Sequence, residues 1–587
     1  MSEGRNPSTP DHLPLGTVLA GLAAVEARLD PGAAALSVRV LRHLTVEGLE
    51  PYLRWHAAAD GLKVDLAFGG YGTLAQDLLE GDSQDLLVLA LDLGDLDPAY
   101  GGPGWTAGRA LEEILDLLSL AAERTRATVV VHRFLLPLHP PEGILLPKDG
   151  SDLASQIQAL NAGLAVFVRE HAPRFQLLDW DLYLRRLGAA EALDPRFGYQ
   201  ARAPFRPAFM DLWARDLCRI LRALTGKSRK CVVLDCDNTL WGGVVGEDGP
   251  NGIALDARVY PGRAYHDFQR ALLGLQARGI LLALCSRNNE ADVFEVLDGH
   301  PDCLIRRRHL AAWRISWEDK AASIAALAEE LNLGLDAMVF VDDNPVECAR
   351  VRQALPGVRV LPVPENLWEL PDLLHREGRF DSLSRGEEDR ARTELYRGEA
   401  QRKSVRRGFP DLDSYLASLE LRARIQPLGP GELERAAQLT QKTNQFNLTT
   451  RRYSAADLAR LADGGASAVF GMSVEDRFGG LGMVGVLAAE CEGRTGRVLN
   501  LLLSCRALGR RAEQAFVAKA LRDLGARWGL ARWEAEHLPT AKNAQTRDFW
   551  ERAGFTLVEG SEGRRTYALE HLEALAELPS CYTLLED

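Results

Sequence analysis

The chain has 587 residues, enough for about two to four domains at roughly 150 residues each. Hydrophobic residues make up 46% and charged residues 26%, which excludes an intrinsically disordered polymer, and a net charge of −13 without long basic runs argues against nucleic-acid binding. There is no run of 18 apolar residues, a polar start that does not read as a secretory signal, and nine cysteines scattered singly with no C-x-x-C. Those features predict a cytoplasmic protein with reduced thiols and no membrane partner.

Residues 1–225 hold strand candidates at 37–45, 64–68, 86–91, 129–136 and 175–178, with helical patterns at 109–124 and 157–171. That alternation predicts an α/β domain on a parallel sheet. Residues 226–383 alternate again: strand 231–234, helix 262–278, strand 280–284, helix 319–331, strand 337–341. Ligands of such doubly wound folds sit at the carboxyl ends of the strands. The charged stretch 384–417 reads as a helical linker, with a docking surface as the alternative. Residues 418–587 show strands at 468–474, 483–489, 498–503 and 531–537 and a helix at 512–528, an α+β pattern. The fold class predicted is therefore a multidomain α/β protein.

The strongest chemical signal is Val232-Val233-Leu234-Asp235-Cys236-Asp237-Asn238-Thr239-Leu240, an apolar strand ending in two carboxylates two residues apart. Phosphoryl transfer through an aspartyl phosphate needs a bare carboxylate nucleophile, Asp235, and a neighbouring acid, Asp237, to protonate the leaving oxygen and then activate water. Ser286 ends the next apolar strand and can hydrogen-bond a phosphoryl oxygen. Lys320 opens a helix and can neutralise developing charge. Asp342 and Asp343 end a further strand, and oxygen ligands of this kind suit Mg²⁺. The expected ligands are Asp235, the Asp237 backbone carbonyl and Asp342, with Asp343 assisting. This ordered set resembles the haloacid-dehalogenase (HAD) phosphatase superfamily over residues 230–360. Only about 45 residues separate the first motif from Ser286. A single strand-to-helix crossover uses most of them, which predicts a lidless, open site. The glycine-rich loop after the nucleophile strand, Trp241 to Gly249, is expected to shape the pocket.

In the third region, Asn543-Ala544 followed by Phe549-Trp550-Glu551-Arg552-Ala553-Gly554-Phe555 resembles the closing motif of the GNAT acyltransferase fold. The resemblance implies that the turn after strand 498–503 holds a pyrophosphate on helix amides. Arg506 and Gly509 fit its pattern, whereas Arg511 stands where a small residue is usual. A pantetheine arm would then run along this strand, with Arg506, Gly509, Arg510 and Asn543 as its binding residues. Cys505 and His537 form a candidate activated thiol.

Taken together, these motifs resemble the FkbH-like family of glyceryl-transferase/phosphatases. So do Val341-Asp342-Asp343-Asn344-Pro345, the long polar run Gln438 to Tyr453, and Pro539-Thr540-Ala541-Lys542-Asn543. The polar run is too hydrophilic to be read as core packing. The resemblance implies transfer of the glyceryl unit of D-1,3-bisphosphoglycerate to the phosphopantetheine thiol of an acyl carrier protein, with removal of phosphate, in polyketide biosynthesis. It also implies an SGNH-hydrolase-like first domain. That domain lacks a nucleophile turn after its first strand and a His after Asp179-Trp180-Asp181-Leu182, and is expected to be catalytically silent. Cys505, Cys236 or no enzyme thiol at all could carry the acyl group. An acidic carrier would dock on basic patches, Arg306-Arg307-Arg308 beside the phosphatase site and Arg506, Arg510 and Arg511 at the turn.

Overall fold

The computed structural model describes residues 12–383 apart from 82, 83 and 146, and residues 408–585 apart from 444, 541, 542 and 562. Between these it describes 393–395, 398, 402, 405 and 406; the side chains of residues 377, 442 and 505 lie outside the described set. The expected linker helix therefore falls mostly outside the described residues. The chain divides into two compact units, Met1–Ser228 with Leu374–Ser384, and Arg229–Leu373 with Arg385–Asp587.

The first unit is built on β1 (Ala35–Arg42), β2 (Lys63–Tyr71), β3 (Leu86–Ala90), β4 (Thr128–Arg133) and β5 (Phe175–Asp179), all parallel in the order β2-β1-β3-β4-β5. Successive residues of β3 enter opposite cores: Leu86, Val88 and Ala90 join one cluster, Leu87 and Leu89 the other. A strand covered on both faces must be apolar at every position, and this is why 86–91 reads as a continuous hydrophobic run. Residues 374–383, expected to close the phosphatase domain, pack here instead. Arg379 pairs with Asp60 at 2.6 Å, Arg222 donates to Gly378 O at 2.8 Å, and Arg219 pairs with Asp381 at 2.6 Å.

Asp60 is the node of this closure, buried between Arg222 and Arg379. Burial pushes its carboxyl up, but the two guanidinium charges outweigh that and hold it below its ordinary 3.8. Its contribution to stability is thus present above the usual aspartate range and is lost as pH falls through the lowered value. Asp60→Asn should cost about 3 kcal/mol, because Arg222 would be left buried without the carboxylate it pairs with. Urea unfolding at pH 7 measures this. The gap between wild type and variant should narrow in acid, and an equal gap at pH 7 and pH 3 would contradict the assignment.

The second unit contains two sheets. The first comprises β6 (Cys231–Leu234), β7 (Leu281–Ser286), β8 (Leu310–Ile315), β9 (Met338–Asp342) and β10 (Arg359–Pro362), all parallel in the order β10-β9-β6-β7-β8. β6, β7 and β9 are buried at every position. β8 and β10, absent from the sequence reading, are the two edges. The crossover from β6 to the helix Gly262–Gln276 contains one four-residue helix, Val245–Asp248, and no inserted domain.

The second sheet comprises β11 (Leu421–Pro427), β12 (Ser467–Asp476), β13 (Gly479–Glu492), β14 (Thr495–Leu503), β15 (Arg532–His537), β16 (Thr556–Gly560), β17 (Arg565–Leu569) and β18 (Tyr582–Leu584), in the order β16-β17-β15-β14-β13-β12-β11-β18. At its centre β14 and β15 run parallel, paired from Thr495↔Arg532 to Val498↔Ala535, and β15 does not pair with β14 beyond that point. The helix Ala512–Trp528 packs its buried residues into the core on this sheet.

Candidate active site

Three adjacent parallel strands bring the sequence-predicted groups together. Asp235 follows β6, Ser286 is the last residue of β7, and Asp342 is the last residue of β9. The Asp235 amide donates to Val341 O at 3.0 Å, which extends the ladder to the point where the carboxylate leaves it. Lys320 arrives from the helix Lys320–Glu330, whose Asp319 cap accepts the Ala322 amide. Its ammonium lies 3.0 Å from Asp235 and 2.6 Å from Asp342.

All three side chains are buried, so their charges set one another's protonation. Burial alone would neutralise Lys320, but the charges of Asp235 and then Asp342 outweigh it and hold the ammonium charged. Burial also pushes the Asp235 carboxyl up, against the pull of Lys320 and with Asp342 adding to the rise. Ser286 hydrogen-bonds Asp235 and favours its ionised form. The Asp342 carboxylate accepts the Asn344 amide at 2.8 Å as well as Lys320.

Asp237 is held differently. One of its oxygens accepts Trp241 Nε1 at 2.9 Å and the Val245 amide at 3.1 Å; the other accepts Asn288 Nδ2 at 2.9 Å. Asn288 also donates to Ser286 Oγ at 3.2 Å, which links the two motifs. The sequence reading missed Asn288 and placed Trp241 only in the loop expected to shape the pocket. Their only signals were position, two residues beyond Ser286 and four beyond Asp237. Asn238 takes a positive φ of 51° and its side chain accepts the Gly243 amide at 2.9 Å. Gly243, at φ 93°, holds a backbone conformation that L side chains rarely adopt, and a Cβ there would also press on Asp248 Oδ2 at 2.5 Å. The glycine-rich loop is thereby folded back onto the acid it follows.

Oxygens of Asp235, Asp342 and Asp343 all lie within 4.8 Å of one another. One ammonium against three carboxylates leaves surplus negative charge. Asp343 reports it: burial, and then the Asp342 charge, push its carboxyl up. Hard oxygen donors with unbalanced charge fit a divalent cation of the Mg²⁺ type. The Asp237 carboxylate is outside this cluster.

Cys236 lies between the two acids but is fully buried. Burial first, and then the Asp235 charge, raise its thiol well above the ordinary range. The basic run Arg306-Arg307-Arg308 is not beside this site. It precedes β8, so in a parallel sheet it lies at the amino edge, one six-residue strand (about 20 Å) from the carboxyl edge that carries Asp235. Arg306 is spent on Leu297 O and His300 O, and Arg307 on Asp298 and the Phe294 ring.

The second sheet places the other predicted residues around the divergence of β14 and β15. The strand edge along which a pantetheine arm was expected is already paired. Leu448 N donates to Leu501 O at 3.0 Å, Leu503 N to Phe446 O at 3.0 Å and Leu538 N to Leu448 O at 2.8 Å. Asn543, expected to touch that arm, is fully buried. Its amide donates to Asn447 O and Leu538 O, both at 2.9 Å, and accepts the Thr540 amide at 2.7 Å. Phe446 and Leu448 join the hydrophobic core, Phe446 edge-on to Phe549. Two buried apolar side chains and four hydrogen bonds hold this segment by roughly 7–10 kcal/mol before the cost of ordering it. Part of the polar run Gln438 to Tyr453, residues 446–449 with Thr440, is therefore packing after all. Thr440, Asn447 and Thr449 are buried, each with hydrogen-bond partners.

His537 donates Nε2 to Thr546 Oγ1 at 3.0 Å, because that hydroxyl is itself donated to Asn543 O. Its Nδ1 lone pair is buried without a partner among the described residues, and burial, then Arg565 and Arg547, lower its pKa. The Cys505 side chain lies outside the described ones. Arg506 donates to Ser504 Oγ at 3.2 Å, Arg510 to Arg506 O, and Arg511, at φ 57°, pairs with Asp413 at 2.5 Å. Gly509 has φ 76°, as the turn requires.

In the first unit, the histidines at the carboxyl edge serve structure. His132 stacks on Trp180 with ring centroids 3.3 Å apart, and burial pushes its pKa down to about 3. His43 Nδ1 accepts the Asp92 amide.

No protein-family model matches the chain, and no curated protein matches it. Among solved structures, the N-terminal part of BF1531 from Bacteroides fragilis, which contains a phosphatase domain and was crystallised with Mg, aligns with a TM-score of 0.56 and 24% identity. The match covers 62% of this chain and 99% of that one. This likeness establishes the fold over that share. The ribosomal-protein-S18-alanine N-acetyltransferase from Escherichia coli (17% identity, TM-score 0.20, 92% of its length) and the PaiA N-acetyltransferase from Thermoplasma acidophilum in complex with coenzyme A (11%, 0.21, 99%) each match 25% of the chain. Scores that low carry no argument about it. Among the described residues, no helix is long and apolar enough to cross a membrane.

Proposed function

We propose that residues 229–373 form a Mg²⁺-dependent HAD-type phosphatase and that the whole chain loads a glyceryl unit from D-1,3-bisphosphoglycerate onto the phosphopantetheine thiol of an acyl carrier protein, removing phosphate. The observation that carries the phosphatase reading is the ammonium of Lys320 bridging Asp235 and Asp342 while a separate acid, Asp237, is fixed by three donors. Asp235 attacks phosphorus, the bond from phosphorus to the ester oxygen breaks, and Asp237 gives that oxygen its proton. Asp237 then takes a proton from water, whose oxygen displaces Asp235 and releases phosphate. Lys320 and Ser286 hold phosphoryl oxygens. Asp235, Asp342 and Asp343, with the Asp237 carbonyl, would hold a Mg²⁺ ion, which neutralises phosphate charge when bound.

The transfer half rests on the family resemblance and on chemistry. The 1-phosphate is a mixed anhydride that a thiol can displace without ATP, whereas the 3-phosphate is an ordinary ester that needs the Asp235 machinery. Of the three routes for the acyl group, the paired edge of β14 favours direct attack by the carrier thiol over carriage on Cys505, and the burial of Cys236 disfavours that thiol. The filled slot also favours a second reading, a phosphatase without acyl transfer. On this proposal the first unit is a silent SGNH-like scaffold.

Intact-mass spectrometry of a phosphopantetheinylated carrier after incubation with bisphosphoglycerate and Mg²⁺ tests both. Glyceryl on the carrier is expected. Free phosphate with an unloaded carrier would leave the phosphatase alone. Mass mapping of the enzyme without carrier should find no acyl adduct on Cys505 or Cys236. Excess EDTA should reduce phosphate release at least about 10³-fold, and added Mg²⁺ should restore it. Full activity in EDTA would remove the metal from the scheme.

A further inference from the structure

A splayed pair of parallel strands exposes main-chain donors and acceptors, and such an edge takes up an extended amide-bearing chain by β-augmentation. β14 and β15 make such an edge beyond Val498, and the chain fills it itself. Residues 446–448 hydrogen-bond β14 at Leu501 and Leu503 on one side, and Leu538 and Asn543 just beyond β15 on the other. Phe446, Asn447, Leu448 and Thr449 are all buried.

A second, independent feature lies at the turn where a pyrophosphate would rest. There the helix Ala512–Trp528 carries Glu513 in its first turn. One oxygen of the Glu513 carboxylate is buried without a partner among the described residues, so an acidic group stands where an incoming anion would rest. The side chain of Arg511, at the position where a small residue was expected, reaches Asp413.

We infer that this module is closed to coenzyme A and to a pantetheine arm, with residues 446–448 as the resident occupant of the slot and Glu513 blocking the anion turn. The inference rests on reading the module as an acyltransferase-type fold, and it assigns the polar run Gln438 to Tyr453 a role in selectivity. An acyl-CoA pool could not supply this protein through that slot. A carrier thiol would have to meet its acyl phosphate at the open carboxylate site.

The test uses the full chain. Coenzyme A and, separately, pantetheine are titrated to about 1 mM by calorimetry, and amide hydrogen exchange is followed at Leu448, Leu503 and Leu538. We expect no saturable binding, and slow exchange at the three amides that neither probe changes. Saturable binding of either probe that accelerates exchange at Leu448, or that displaces Phe446 O from the Leu503 amide and changes its exchange, would overturn the inference. Binding that leaves all three amides protected would place the probe elsewhere and uphold the closure. Phe446→Ala should raise exchange at Leu503 at least tenfold if the variant folds; the wild-type measurement decides the question without it. Failure of carrier loading, read by mass, would sink the glyceryl-transfer proposal and leave the closure standing, so the two failures are distinct.

Discussion

Asp235→Asn is expected to reduce phosphate release from the 3-position by about 10⁴-fold or more while leaving the fold intact. The amide is nearly isosteric with the carboxylate and can still accept from Ser286 and Lys320, but it cannot attack phosphorus. The Asp235 side chain is buried at the end of a central strand, so its place is set by the ladder and not by its charge. A cooperative thermal transition in the variant, which shows that it is folded, is the control. Release at the wild-type rate in a folded Asp235→Asn protein would remove Asp235 as the nucleophile.

Lys320→Met should be costly twice over. In catalysis it removes the cation nearest the nucleophile, a loss of about 10²–10³ in kcat. In stability it leaves Asp235 and Asp342 buried against each other without their shared ammonium. Breaking a buried pair from one side costs about 3–5 kcal/mol in the metal-free protein. A divalent cation on the carboxylates would supply part of the missing charge. Denaturant unfolding of the variant should therefore recover with added Mg²⁺ more than that of wild type. A variant as stable as wild type in EDTA would show that the ammonium does not offset the carboxylates.

The phosphoryl site was legible because its residues stand at the ends of buried central strands. A strand covered on both faces is apolar throughout, so the point where 231–234 gives way to Asp235 and 338–341 to Asp342 is visible as an abrupt change of character. Edge strands give no such contrast. β10 is four residues long, β8 carries Arg314, and β16 is exposed at every position, so all three escaped a reading built on hydrophobic runs. Asn288 escaped because a polar residue in a loop looks the same whether or not it holds a catalytic carboxylate.

The amino-acid sequence by itself determined the alternation of strand and helix, the order of the carboxylate motifs and the brevity of the first crossover, since each is written in local hydrophobicity or spacing. Only the tertiary structure decided three matters. Arg306-Arg307-Arg308 lies at the wrong edge of its sheet because parallel pairing fixes which end of β8 faces the site. Residues 374–383 return to the first unit because Asp60 offers Arg379 a buried partner more than 300 residues away in the chain. The segment 446–448 is interior because its main chain completes an edge supplied by residues about 55 and 90 positions further on. Long-range pairing of this kind buries Asn447 and Thr449 by satisfying their polar groups, and no pattern of hydrophobicity along the chain records it.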